Sequence, residues 1–473
     1  MKFITPKLII LLTFIIFITC FLSATIGLFE IPDSYFYVGL GQFLMTGTGP
    51  AVGPFNYTIP QTLFAPVYAL FLYPFLHTPI DPLFTISLAQ QLLVILSAIL
   101  MYFMVKKLFT REWRPLTLFI FCLLPFQIIY AFFMMSEILT EFFCTLYLAV
   151  LVLCGQKTWQ RGMLVFISSI LVLTRFAFIP FFILSFIYWL IGKPKKIQAI
   201  VPAALGCFFI ALWVGFHIHW YHTPLLSTFT GRHLYDNVIT AGKFIPKNRE
   251  QKEVATFFQY VPSSQPYDVP WWDLQSYFSQ PFHEKKLTEV DIDRVFLAVS
   301  LAGIRENPIA YGFHLIKMMI VTPNTPPYHA NVLTQIGFSE PDCSYCNVKR
   351  CRFEWLGPSI CKQKIPSPTM EKIFGFLIIG SRAMYPIISG LFTILAVVGI
   401  VGNVLSRNKV RIAITALFVI QHTFQSSSEW VEGRFLVPLY PFYTLLIIQG
   451  IISLKKLYAF YKIRGTKNIT ATN

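Results

Sequence analysis

Ten apolar stretches recur along the chain, at roughly 8–29, 83–105, 115–134, 138–155, 160–174, 176–192, 198–217, 374–404, 410–427 and 435–453, separated by short basic connectors. About 20 consecutive apolar residues are what a helix needs to cross a bilayer. Backbone polar groups in lipid find partners only within helices or closed barrels, and these runs are long and unalternating, which selects helices. The expected fold class is an all-α polytopic membrane protein with about ten transmembrane helices. Juxtamembrane helices and a mixed, disulfide-containing extracytoplasmic lobe complete that expectation.

Charge supplies the topology. The net charge of +16 would point to nucleic acid in a soluble chain, but only 13% of residues are charged and 55% are hydrophobic, so charge is read by location. Nineteen of the 38 Lys and Arg lie in connectors and tails: Lys2 and Lys7, Lys106 to Arg114, Lys157 and Arg161, Lys193 to Lys196, Arg407 to Arg411, and Lys455 to Lys467. One topology puts all of them in the cytoplasm, with both termini inside. No nucleic-acid partner is needed to explain them. The run at 8–29 is too long for a signal-peptide core and reads as a retained span.

Two stretches resist simple hydropathy. Residues 61–79 are apolar, yet as a full span they would carry Lys106 and Lys107 outside. They read instead as a helix on the outer face, broken by Pro66, Pro74 and Pro79. Residues 162–191 are too short for two full crossings, and Arg175 interrupts them. A short hairpin with Arg175 at its turn keeps the downstream basic clusters inside and sets Arg175 at the depth of outer-leaflet headgroups.

Three regions follow: an N-terminal membrane module, 1–217, with a first outside loop at 30–82; an extracytoplasmic lobe, 218–373; and C-terminal membrane helices with a basic tail, 374–473. Within the lobe, 218–300 is polar and aromatic, and 301–322 has the Asn307-Pro308 start and apolar spacing of an amphipathic helix on the membrane. Cys343, Cys346, Cys351 and Cys361 cluster there with C-x2-C-x4-C-x9-C spacing. That spacing admits zinc, but an oxidising compartment favours two disulfides, in any of three pairings.

The motifs that carry chemistry sit at outer ends of spans. The first loop holds Glu30-Ile31-Pro32-Asp33-Ser34, then Tyr37, Gly41 and Gly47. Ser136-Glu137 opens the fourth span, Leu173-Thr174-Arg175 forms the hairpin turn, and Glu432-Gly433-Arg434-Phe435, with Pro438 and Pro441, opens the last. Together these resemble the GT-C superfamily of membrane glycosyltransferases, in the branch of protein O-mannosyltransferases and the lipid A aminoarabinose transferase. The resemblance runs through the membrane portion, and each motif alone is weak. It departs from the family in two places: Glu30 and Asp33 are separated rather than adjacent, and Gln61-Thr62-Leu63-Phe64-Ala65-Pro66 lacks the lysine of a Lys-Pro-Pro-Leu stretch.

The resemblance implies a polyprenyl-phosphate-linked sugar as donor and a lipid, glycan or protein as acceptor, with membrane lipids around them. It implies a bacterial inner membrane with a periplasmic active site. Asp33 is then the general base, with Glu137 beside it as the second catalytic candidate. Glu30, Tyr37, Arg175, Arg232 and Arg434 become substrate-binding candidates, with Arg175 first and Arg232 second for the phosphate. Single displacement would invert the anomeric centre. No cofactor is expected; some members of the family use a divalent metal, which leaves one open here, but the first loop has no Asp-x-Asp pair to bind it.

Each residue also has a plain structural use. Asp33 suits the N-terminus of a helix beginning at Ser34, and Glu137 suits a helix N-terminus. Arg175 can snorkel to headgroups, and Arg434 can pair with Glu432 or Glu429. Competing functional classes are a polysaccharide polymerase or ligase using lipid-linked sugars, a non-catalytic assembly subunit, and a transporter. A transporter would carry ionisable residues deep within several spans and related halves.

Overall fold

The computed structural model describes residues 32–47, 64–124, 130–155, 157–192, 196–261, 269, 274, 277, 278, 281, 284, 286–324, 368–428 and 433–470. The first expected span, Glu30 and the four loop cysteines lie outside the described residues. The described part is helical, with no strand among the described residues, the lobe included.

Four helices are long and apolar enough to cross a membrane: Pro82–Leu108, Ile197–Tyr221, and the segments Ile387–Leu405 and Leu436–Tyr461. Their outward faces are apolar, as Leu205, Phe208 and Leu212 on one and Leu391, Ile394 and Val401 on another show. Uncovered apolar faces of this length fit lipid as their solvent, and the chain is an integral membrane protein. The remaining expected spans are shorter or less apolar helices, or lie partly or wholly outside the described residues.

In chain order, α1 (Pro32–Thr46) and α2 (Pro66–Leu76) pack together, and α2 begins at its proline. Their approach is close because position 41 is glycine: a Cβ there would lie 2.6 Å from the Ala69 carbonyl oxygen. At 11 residues, α2 is about 16 Å long and too short to cross a bilayer. Helix α3 (Pro82–Leu108) starts at Asp81, whose carboxylate accepts the Leu83 N–H at 2.9 Å, and Lys106 and Lys107 end it. Both ends follow the helix dipole.

The span expected at 115–134 is described only in part, since residues 125–129 lie outside the described residues. Helix α4 covers only Arg114–Leu123. Leu124 leaves the helical region with ψ 126°, the conformation a residue before proline favours, and Pro125 follows it. The chain next runs through a turn at 130–136 before α5 (Glu137–Leu153).

Helices α6 (Thr158–Thr174) and α7 (Ile179–Ile191) form a hairpin joined by Arg175 and a 3-10 turn, Phe176–Phe178. Its open end is marked by the Arg161 guanidinium, 4.6 Å from the centre of the Tyr188 ring. The two limbs are about 25 and 20 Å long, each shorter than a bilayer core of about 30 Å. Helix α8 (Ile197–Tyr221) packs along α6 and leads into the lobe.

The lobe is built from α9 (Thr230–Tyr235), a π-helical turn Asp236–Ala241, α10 (Lys252–Tyr260), α11 (Glu289–Glu306) and α12 (Pro308–Val321). Its own core gathers Tyr235, Phe257, Phe278 and Phe296. Helix α11 opens with a capping box between Thr288 and Asp291, and Pro308 starts α12 after the break at Asn307. Ile309, Phe313, Ile316 and Ile320 are 77%, 70%, 57% and 56% exposed and fall on one stripe of α12, the surface helix expected there. Helices α13 (Pro368–Leu405), α14 (Lys409–Ser428) and α15 (Tyr440–Thr470) complete the bundle, with a 3-10 segment, Gly433–Leu439, before α15.

The bundle has two chemically different poles. At one, Lys107 donates to the Leu153 carbonyl at 3.0 Å, Arg411 donates to the Leu108 carbonyl, Gln160 donates to Val150 and Leu151, and Lys455 lies over Trp113. Four of the expected cytoplasmic clusters therefore share one end. The opposite ends of α3, α5 and α6 carry the candidate site.

Candidate functional site at the outer ends of the helices

The site begins with an irregular turn that needs outside help to hold its shape. Three side chains from other elements bond to residues 130–136. Gln90 on α3 donates from Nε2 to the carbonyls of Ala131 and Phe133 at 3.0 and 2.8 Å, while its Oε1 accepts the Tyr68 hydroxyl at 2.7 Å. Ser34 on α1 donates to the Met134 carbonyl at 2.9 Å, and the Tyr37 hydroxyl donates to Ser136 Oγ at 3.0 Å. Tyr37 and Tyr68 meet edge to face, with ring centres 4.8 Å apart. Every member of this network is buried, so each bond also removes the cost of a stranded polar group.

The consequence is a fixed start for α5. Glu137, its first residue, is held where the chain also reverses at Arg175, and Arg175 Nη1 lies 3.2 Å from Glu137 Oε1. The side chains are 3% and 13% exposed. Arg175 adopts an extended backbone between α6 and the 3-10 turn, which takes it out of the helix axis. Glu137 Oε2 is buried and accepts no hydrogen bond among the described residues. A carboxylate with one oxygen engaged by a cation and the other unengaged is a half-used site, in contrast to a closed structural pair.

Asp33 is the second residue of α1, and its backbone is tied to this pole because the next residue, Ser34, is bonded to Met134. Its side chain, and that of Arg434 in the segment Gly433–Leu439, lie outside the described residues. Tyr37, Glu137 and Arg175 are thus brought together through Ser136, and Asp33 is carried to the same turn by its backbone.

Arg232 is used differently. Its Nη2 lies 2.7 Å from Glu289 Oε2, and Asp293 Oδ1 accepts the N–H groups of Gly231 and Arg232 at 2.9 and 3.1 Å. Burial pushes the Asp293 carboxyl above its ordinary value of 3.8, and the Arg232 charge with the two N–H groups pulls the other way. A Cβ on Gly231 would meet the Asp293 carbonyl oxygen at 2.0 Å, so only glycine lets α9 approach α11 this closely. This cluster locks two lobe helices together.

Sequence reasoning passed over Tyr68 and Gln90 and gave Ser34 and Ser136 no role beyond their motifs; their pairings join residues up to 100 positions apart. One signal was available: Gln90 and Gln91 interrupt an apolar run. Glu141, one turn below Glu137 and fully buried, is a second omission. Among the described residues, no three His, Cys, Asp or Glu side chains group as metal ligands.

No family model and no curated protein matches this sequence. Two solved structures do. ArnT from Cupriavidus metallidurans bound to undecaprenyl phosphate is 11% identical, with a TM-score of 0.36 over 95% of this chain and 78% of that one. The apo state of the same protein is 12% identical, with a TM-score of 0.35 over 93% and 76%. The chain resembles ArnT. A likeness this loose is in line with the motif resemblance but carries no argument about chemistry, so the local geometry has to.

Proposed function

We propose that this protein is a GT-C-like membrane glycosyltransferase that moves a sugar from a polyprenyl-phosphate donor to an extracytoplasmic lipid, glycan or protein. The observation that carries the reading is the Arg175–Glu137 pair: a cation at the hairpin turn, held by a carboxylate, at the pole opposite the basic clusters. On that topology the pair sits at outer headgroup depth, where a lipid phosphate lies. The donor tail occupies the bilayer, and the sugar projects toward the lobe.

In the proposed reaction the acceptor oxygen attacks the anomeric carbon while the bond from that carbon to the phosphate oxygen breaks. The electron pair leaves with the phosphate, whose growing charge Arg175 stabilises, and the acceptor proton passes to the Asp33 carboxylate. A single displacement inverts the anomeric configuration. Glu137 orients Arg175, Tyr37 fixes α1 against Ser136, and Arg434 and Glu30 remain donor-binding candidates. Arg232 serves by shaping the lobe that admits the acceptor. A bacterial inner membrane with the site facing the periplasm suits such a donor.

The test is sugar transfer from radiolabelled lipid-phosphate pools in membranes that hold matched levels of wild type or Asp33→Asn. Wild type should label an acceptor, and the folded variant should lose about 10²- to 10⁴-fold in rate. Transfer by the variant at the wild-type rate would reduce Asp33 to a helix cap. Absence of monosaccharide transfer by wild type would favour a polymerase or ligase.

A further inference from the structure

Helix α14 carries an unusual concentration of buried polar atoms at its end nearest the Arg175 turn. Gln421, Gln425 and Ser426 are 0%, 3% and 4% exposed. Gln421 is anchored: its Nε2 donates to the Ala177 carbonyl at 2.7 Å, two residues beyond Arg175. Its Oε1 has no hydrogen-bond partner among the described residues, and neither do Gln425 Nε2, Gln425 Oε1 and Ser426 Oγ. The helix backbone is itself well held here, since Asn237 Nδ2 donates to the Ser426 carbonyl at 2.7 Å and the Tyr311 hydroxyl reaches the Ser427 carbonyl at 3.4 Å.

Four polar atoms without partners among the described residues in one and a half turns are costly, at about 1–3 kcal/mol for each buried group left unsatisfied. Native interiors keep such groups only where something else completes them. Gln421 and Gln425 are four residues apart and share a helix face, with Ser426 beside them. This end of α14 packs against α5, which begins at Glu137, against the turn after Arg175, against the π-helical turn of the lobe and against the segment before α15. The unsatisfied atoms therefore sit where membrane bundle and lobe meet, beside the proposed phosphate position. A carboxamide offers a donor and an acceptor together and so serves both sides of a neutral hydroxyl, whereas a phosphate oxygen would use its donor alone and a hydrocarbon neither.

We propose that Gln425, supported by Gln421 and Ser426, reads the hydroxyl groups of the donor's sugar. The inference rests on the donor class assigned above and adds the residues that distinguish a sugar-bearing lipid phosphate from a bare one. Arg175 holds the phosphate, which both lipids share, and the α14 face contacts what only one of them carries. Sites built to hydrogen-bond a hydroxyl discriminate strongly, because a ligand without it leaves their buried polar groups unpaired.

The experiment measures binding and thermal midpoint of the full chain in nanodiscs, with undecaprenyl phosphate and with its mannosyl, glucosyl and aminoarabinosyl esters as probes. Wild type should bind at least one ester more tightly than undecaprenyl phosphate. Gln425→Leu should keep its affinity for undecaprenyl phosphate, weaken that ester about tenfold, and show a ligand-free midpoint no lower than wild type, because it removes two stranded polar atoms. Ser426→Ala should shift the same ratio in the same direction by less. Equal ester preference in wild type and Gln425→Leu, no ester preference in wild type, or a ligand-free midpoint several degrees lower overturns the inference while leaving the phosphate reading intact. No binding of undecaprenyl phosphate by wild type overturns the donor reading, and this inference with it.

Discussion

Arg175 and Arg232 each meet a glutamate in a mostly buried setting, but the two pairs are finished to different degrees. Around Arg232 the closure is tight: Glu289 takes the guanidinium, Asp293 takes two backbone N–H groups, and glycine at 231 lets the helices touch. Around Glu137 one carboxylate oxygen has no partner among the described residues, and the surrounding polar bonds position the turn without filling that oxygen. The first arrangement spends its charges on joining α9 to α11. The second fixes Arg175 at the hairpin turn while one oxygen of its carboxylate partner stays unused among the described residues.

The comparison can be broken by mutation. Arg232→Gln should cost about 3 kcal/mol of stability, since it leaves Glu289 and its buried surroundings without the cation, and thermal unfolding in detergent would show it. A shift within the noise would make the lobe cluster dispensable. Gly231→Ala should cost somewhat less, about 2 kcal/mol, by forcing α9 away from the Asp293 carbonyl. Restoration of the wild-type midpoint by combining it with a larger cavity nearby would not be expected, because the clash is with backbone.

The smallest effect is a pH dependence with two opposing parts. Glu306 accepts the N–H groups of Lys247 and Asn248 at 2.8 Å each, which holds its carboxyl below the ordinary value of 4.5. Its contribution is present above 4.5 and is lost as pH falls through the lowered folded value. Asp293 is raised from 3.8, so its contribution has the opposite sign and weakens as pH rises through the raised folded value. Glu306→Gln should therefore reduce the loss of stability in acid, and Asp293→Asn should remove a loss on the alkaline side of 3.8. Midpoints measured from acid to neutral pH for both variants check the signs.

Much of the frame is visible in the sequence because it depends on local composition. A single arginine inside a long apolar stretch marks the reversal at Arg175, and Asn307-Pro308 marks the start of α12. Basic connectors gather at one pole, as the bias of Lys and Arg in short loops toward one side of a membrane leads one to expect. Hydropathy averages over helix ends: 115–134 is apolar throughout, yet α4 stops at Leu123, with the pre-proline residue Leu124 as its cap. The site's supports were hidden for a different reason. Gln90, Tyr68 and Ser34 act on a turn that is distant in sequence, and no period records which polar residue will meet which carbonyl.

The most direct test of the central claim is the affinity of undecaprenyl phosphate for wild type, for the double variant Glu137→Gln/Arg175→Gln, and for Arg232→Gln, each in nanodiscs of neutral lipid at low temperature. The double variant replaces a buried ion pair with a neutral amide pair, so the fold does not inherit a lone buried charge. Binding at least tenfold weaker in the double variant, with Arg232→Gln close to wild type, is the expected result. Equal affinity in wild type and the double variant would contradict the assignment of the phosphate to the Arg175 turn.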